Sequence, residues 1–184
     1  MIQRLKSWRV LRWLTALILI GVVSAAIFII VQNRATAVPV NSQSQQNAVT
    51  SVSLPTIDGQ TVTIPGNPGQ ITVVYTMGYW CANCVPGAKT VARLQTQYGS
   101  RGVRFVAVDV SPQVTADDLQ TFIEVVGDNH LTWAMDGSGR FTYLYKIQTL
   151  DTALILDGQG HEVYRGQQSS SDSSIRAALD KLLG

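Results

Sequence analysis

Cys81 and Cys84 are the only cysteines in the chain, and they stand in C-x-x-C spacing where a β-branched run gives way to a helix-like pattern. At the start of a helix, unpaired backbone N–H groups and the macrodipole stabilise an anion, which draws a thiol below its free pKa of about 8.5. Cys81, at the mouth, is therefore the expected attacking thiolate. Cys84, one turn further in, can resolve a mixed disulfide formed on Cys81, so two thiols suffice for an exchange cycle that calls for no cofactor. Half of a zinc site is a second reading of the same pair, but zinc normally takes four ligands and the other strong candidates, His130 and His161, are widely separated. An inert structural disulfide is a third. Tyr79 and Trp80, just before Cys81, can offer an apolar platform to a partner peptide or simply pack against the turn.

The elements that would position these residues follow from the hydrophobic periods. Val52 to Leu54 and Thr61 to Ile64 predict a hairpin across the turn at Asp58-Gly59. Ile71 to Thr76, bounded by Gly69 and Gly78, predicts a buried strand, and Val85, Ala88, Val91, Ala92 and Leu94 fall at helical spacing within Ala82 to Tyr98. A second apolar strand, Val103 to Val108, leads through Asp109 and Pro112 to a helix with Thr115 as N-cap and Asp117 and Asp118 in its first turn, ending near Val126. Asp109 lies at the carboxyl edge of the sheet, where function often gathers, or else it only starts the next turn. Thr152 to Leu156 predicts another buried strand, Glu162 to Arg165 its return, and Ser171 or Asp172 caps a last helix with Ile175, Leu179, Leu182 and Leu183 on one face. The alternation predicts an α/β domain with a partly parallel sheet, helices on both its faces and a closing antiparallel hairpin.

The segment VVYTMGYWCANC resembles the active-site strand and turn of the thioredoxin superfamily, and VRFVAVDVS and TALILDGQGHEVYRG are similar to its membrane-anchored TlpA and ResA branch, over about residues 50 to 184. That resemblance implies a thioredoxin-like three-layer fold with a mixed central sheet. It also implies an extracytoplasmic thiol-disulfide oxidoreductase acting on protein disulfides, with Cys81 and Cys84 as the catalytic pair. Many such relatives serve cytochrome c maturation and are recharged by a membrane electron donor of the DsbD or CcdA type. Extracytoplasmic oxidants commonly carry a His inside the motif; Ala82-Asn83 has none, which favours a reductant. The family places a cis-proline before the strand that here begins near Thr152, and Asp151 occupies that position. A cis bond before a non-proline costs about 2.5 to 4 kcal/mol, so a trans peptide and an altered substrate groove are expected. Asp151 would then lie close to the cysteines, where its charge raises the thiol pKa against the helix dipole, or it takes up the proton of Cys84, or it merely caps its own loop. Tyr75 stands where many relatives carry a buried acid or amide, and Lys89 where they carry a proline; Pro86 is tolerable in a first helical turn.

The surrounding chain bears on compartment. From Trp13 to Val31 the sequence is uncharged, and at about 1.5 Å per residue it nearly matches the roughly 30 Å of a bilayer core. Arg4, Lys6, Arg9 and Arg12 precede it, so residues 1–12 are expected on the cytoplasmic side, 13–31 as a transmembrane anchor in the lipid bilayer, and the rest outside, in an oxidising compartment. A cleaved signal with an A-x-A site at Ala35 to Ala37 is the other reading, for which the apolar run is long. Residues 32–48 are polar and read as a flexible linker, leaving 49–184 as one domain large enough for its own core. A net charge of +2, with a basic cluster of Arg4, Lys6, Arg9 and Arg12 at the membrane end, gives no sign of a nucleic-acid surface.

Two further functions compete. SCO-like copper-delivery proteins resemble C-x-x-x-C with a distal His; here the spacing is one shorter and Thr149 to Thr152 offers no His, so Cu(I) would rest on two thiolates. A redox-inactive thioredoxin-fold binding module is the other. The P-x-x-x-T-x-x-C pattern of peroxiredoxins is absent, since Gly78 sits three before Cys81.

Overall fold

A computed structural model describes residues 51–127, 130–167 and 172–184. The basic flank, the apolar stretch 13–31 and the linker expected over 32–48 lie outside the described residues. Among the described residues no helix is long and apolar enough to cross a membrane.

Strands β1 (Val52–Pro55) and β2 (Thr61–Ile64) form an antiparallel hairpin with Val52 opposite Ile64. Their residues alternate between buried and exposed, as a two-stranded ribbon laid on a core requires. The main sheet holds β3 (Thr72–Met77), β4 (Arg104–Asp109), β5 (Thr132–Met135), β6 (Thr152–Leu156) and β7 (Glu162–Gln167) in the order β5-β4-β3-β6-β7. β3, β4 and β5 run parallel, while β6 and β7 are antiparallel to their neighbours. β3 and β6 are buried along their whole length, which explains why they read as continuous apolar runs rather than alternating ones.

Alternate residues of these strands feed two cores. Val73, Tyr75 and Met77 of β3, Phe105 and Ala107 of β4, and Ala153 and Ile155 of β6 face one side. There they meet α1 (Val85–Tyr98), α2 (Ala116–Val126) and α4 (Asp172–Leu183) through Ala88, Val91, Leu94, Leu119, Phe122, Ile175 and Leu179. The opposite side carries Val74, Val106, Val108, Leu154 and Leu156 against the β1–β2 hairpin and Phe141 of the short α3 (Arg140–Leu144). Helices do flank both faces, but unevenly: the three long ones share a face, and the hairpin is the main cover of the other. This mixed sheet between two layers is a thioredoxin-like α/β fold.

α2 begins as the sequence predicts. Thr115 accepts a hydrogen bond from the Asp118 N–H and Asp118 accepts one from the Thr115 N–H, a complete capping box. β5 and α3 are elements the hydrophobic pattern does not reveal. β5 lies parallel beside β4 at the sheet edge, and α3 is anchored by buried Asp136, whose carboxylate accepts from the N–H groups of Phe141 and Thr142.

Candidate active site

The parallel register ends β3 and β4 together, Met77 opposite Asp109, and β6 runs back so that Thr152 lies opposite Thr76. The turn after β3 and the residue before β6 are thereby brought to one end of the sheet. Gly78 opens that turn because space is short: a Cβ there would stand 3.0 Å from Ser111 Oγ and 3.1 Å from the Trp80 ring. The Tyr79 N–H donates to Asp109 Oδ2 at 2.6 Å and the Ser111 N–H to Asp109 Oδ1 at 2.7 Å, so one buried carboxylate ties the cysteine turn to the end of β4. Burial raises the Asp109 pKa, opposed by its hydrogen bonds to Ser111 and Tyr79.

The Cys81 N–H donates to the Gly78 carbonyl and the Cys84 N–H to the Cys81 carbonyl, winding Ala82–Cys84 into a 3-10 turn that runs straight into α1. Pro86 occupies the first turn of α1, where its missing N–H breaks no bond, and no acidic residue in that turn opposes the helix dipole. Cys81 and Cys84 are joined in a disulfide with Cα atoms 5.3 Å apart. Cys81 is partly exposed and Cys84 fully buried, so the first sulfur can be reached by another molecule and the second only by the first. Trp80 is 65% and Tyr79 36% exposed, an aromatic rim beside the reachable sulfur. Lys89 is exposed on α1.

Asp151 is buried with φ +56°, in the left-handed region a non-glycine residue seldom adopts. The one cis peptide among the described residues is Ile64–Pro65, in accord with the trans bond expected before Asp151. Its loop is fixed by the Thr152 hydroxyl, which donates to the Thr149 carbonyl at 2.8 Å. Asp151 does come to the cysteine helix, by way of Tyr75. The Tyr75 hydroxyl lies 2.7 Å from Asp151 Oδ1 and 2.8 Å from the Cys84 carbonyl oxygen. Burial, then the hydrogen bond and charge of Asp151, drive the phenol pKa far up, so it stays a neutral donor. A carboxylate from the loop before β6 thus lies beside the phenol of β3.

Sequence reasoning missed Asp109's two N–H bonds, the Tyr75–Asp151 contact and Gly87. A helical glycine next to a proline was the available signal, since glycine inside a helix costs about 0.5 to 1 kcal/mol relative to alanine. Here a Cβ at Gly87 would collide with Asp151 Oδ1 and Tyr75 Oη. His130 and His161 are exposed, and His161 faces Asp157 at 3.6 Å rather than the cysteines. Among the described residues no three His, Cys, Asp or Glu side chains are grouped to hold a metal ion.

The Redoxin family profile matches residues 43–182. A protein of Streptomyces lividans named for the mercury resistance operon, ORF3, is 25% identical over 127 residues, covering 68% of this chain and 66% of its own length, just under two thirds. A thioredoxin-like protein from Aeropyrum pernix superposes with a TM-score of 0.60 at 24% identity, over 71% of this chain and 89% of that one. A secreted Mycobacterium tuberculosis disulfide oxidoreductase homologous to E. coli DsbE superposes with a TM-score of 0.60 at 15% identity, over 71% and 96%. With the family profile covering most of its length, the chain belongs to the Redoxin family.

Proposed function

We propose that the protein is a membrane-anchored, extracytoplasmic thiol-disulfide oxidoreductase that reduces protein disulfides. The carrying observation is the pairing of a reachable Cys81 with a buried Cys84 at the mouth of α1. In the reduced state the Cys81 thiolate attacks a substrate disulfide, and one substrate sulfur leaves as a thiolate that takes up a proton. Cys84 then loses its proton and its sulfur attacks Cys81, forming the Cys81–Cys84 disulfide and expelling the second substrate sulfur. The substrate disulfide gains two electrons from the cysteine pair and ends as two thiols, one of their protons coming from Cys84 and the other from solvent, which received it when Cys81 ionised. Asp151 is the proposed acceptor for the Cys84 proton, supported by its burial under α1 and its link through Tyr75 to the Cys84 backbone. Trp80 and Tyr79 offer the aromatic face against which a substrate peptide lies.

The compartment and partners rest on the sequence. Residues 13–31 are the anchor in the lipid bilayer, and the domain stands outside the cytoplasm. A membrane donor of the DsbD or CcdA type returns the electrons, and cytochrome c maturation is one pathway that uses such a reductant.

Insulin reduction by the full chain, with the equilibrium of Cys81–Cys84 against a dithiothreitol buffer, tests the activity and its direction. A reductant is expected below about −250 mV; a value near the −120 mV of strong oxidants reverses the proposed direction. The alkylation rate of Cys81 against pH in wild type and Asp151→Asn tests the proton acceptor, and unchanged profiles end that role. The Streptomyces lividans relative favours a second reading, capture of a soft metal by the reduced pair. Titration of the dithiol form with Cu(I) and Hg(II) decides it: binding below micromolar with no insulin turnover would replace the redox reading.

A further inference from the structure

Tyr75 carries one hydroxyl hydrogen and faces two acceptors, the Cys84 carbonyl at 2.8 Å and Asp151 Oδ1 at 2.7 Å. One hydrogen cannot fully serve both, so the acceptor that holds it leaves the other with an oxygen facing the phenol oxygen. An ionised carboxylate is the stronger acceptor, roughly twice as strong as a neutral partner. Three elements close around the pair: Tyr75 comes from the centre of β3, Asp151 from the loop before β6, and α1 passes over them at Gly87, which has no side chain to keep them apart. Asp151 is the charged group that faces the hydroxyl, and the titratable groups of the adjoining turn are Cys81 and Cys84 once reduced.

We propose that Tyr75 is a positioning residue of the disulfide cycle, its single hydroxyl hydrogen linking the Asp151 carboxylate to the Cys84 carbonyl, so that Asp151 acts on the second cysteine through the phenol. This rests on the redox reading of Cys81 and Cys84 and deepens it by naming what tunes the pair. The phenol is suited to the task because burial and the Asp151 carboxylate keep it protonated, a donor at every working pH. Removing the carboxylate charge favours thiolate nearby, so the exchange equilibrium moves toward the dithiol. With the hydroxyl absent, the same removal should have much less effect.

The test is a double-mutant cycle on the full chain, reading the equilibrium constant of Cys81–Cys84 in glutathione buffers for wild type, Tyr75→Phe, Asp151→Asn and the double variant. Asp151→Asn is expected to shift the constant toward the dithiol, and the shift should shrink by about threefold or more in the Tyr75→Phe background. A smaller coupling, or none, overturns the relay, since a side chain that only fills space would leave the two effects independent. Should Tyr75→Phe fail to fold by circular dichroism, Gly87→Ala takes its place in the cycle, because its Cβ would wedge the same pair apart. Insulin turnover by wild type is measured alongside. Turnover without coupling removes the relay alone, whereas coupling without turnover removes the redox function and keeps the relay.

Discussion

At the scale of single residues, three carboxylates lie buried at the end of the sheet where the cysteines sit: Asp109, Asp136 and Asp151. Each faces backbone or phenol donors, which is how such groups are tolerated away from water. Asp109 shows what this arrangement does. Truncation by Asp109→Ala leaves the N–H groups of Tyr79 and Ser111 without their acceptor and frees the Trp80 turn, at a cost of about 1.5 to 3 kcal/mol in urea unfolding. Its pH dependence has a definite sign. Because burial raises its folded pKa, Asp109 contributes most below the ordinary carboxylate pKa of about 3.9, and that contribution falls as pH rises through the raised value. The stability gap between wild type and non-titrating Asp109→Asn should therefore be widest near pH 3 and narrow by pH 7; a gap that widens with pH would contradict the assignment. At the cysteines, Cys84→Ser should trap substrate as a mixed disulfide on Cys81, seen as a mass shift lost on reduction, while Cys81→Ser should trap none.

At the scale of elements, helix α1 carries the site and its glycine runs against local propensity. Gly→Ala inside a helix normally stabilises by about 0.5 to 1 kcal/mol. At Gly87 the new Cβ would press on Asp151 and Tyr75, so Gly87→Ala is expected to destabilise by about 1 to 3 kcal/mol in denaturant titration. A stabilised variant would mean that the contact between α1 and the loop before β6 is loose. What the sequence makes legible follows the same division between local and distant causes. β3, α1, the capping box of α2, β6 and the last helix announce themselves through period, caps and turn residues that act within a few positions. β5, four residues long, has no complete period of its own; its place comes from pairing with β4. α3, five residues long, is held by Asp136 rather than by a capping pattern that precedes it in the usual way. Cys81 and Cys84 are visible as a pair because both partners lie in one turn. Tyr75 and Asp151, in contrast, meet only once β3 and β6 align in antiparallel register, which no local pattern encodes.

At the scale of the whole molecule, the sheet lies between two apolar cores, and phenols in each mark how dry those cores are. Tyr75 lies in the core under α1 and has partners; Tyr145 packs against the other core, stacked on Phe141 with ring centroids 4.6 Å apart, and its hydroxyl is buried with no hydrogen-bond partner among the described residues. Burial first, then the charge of Glu162, pushes the Tyr145 pKa up to about 12. A folded pKa above the ordinary phenol value of about 10 means stability that is complete below pH 10 and drains away as pH rises toward 12. Phenylalanine at this position keeps the stacked ring and has no proton to lose. Tyr145→Phe should therefore match or slightly exceed wild type at pH 8, by up to about 1 to 3 kcal/mol from relief of the unpaired hydroxyl. Its advantage should grow between about pH 10 and 11.5 in urea midpoints taken across that range. An advantage that shrinks over the same interval would show that the Tyr145 hydroxyl finds a partner or water in solution, and that this side of the sheet is wetter than its packing implies.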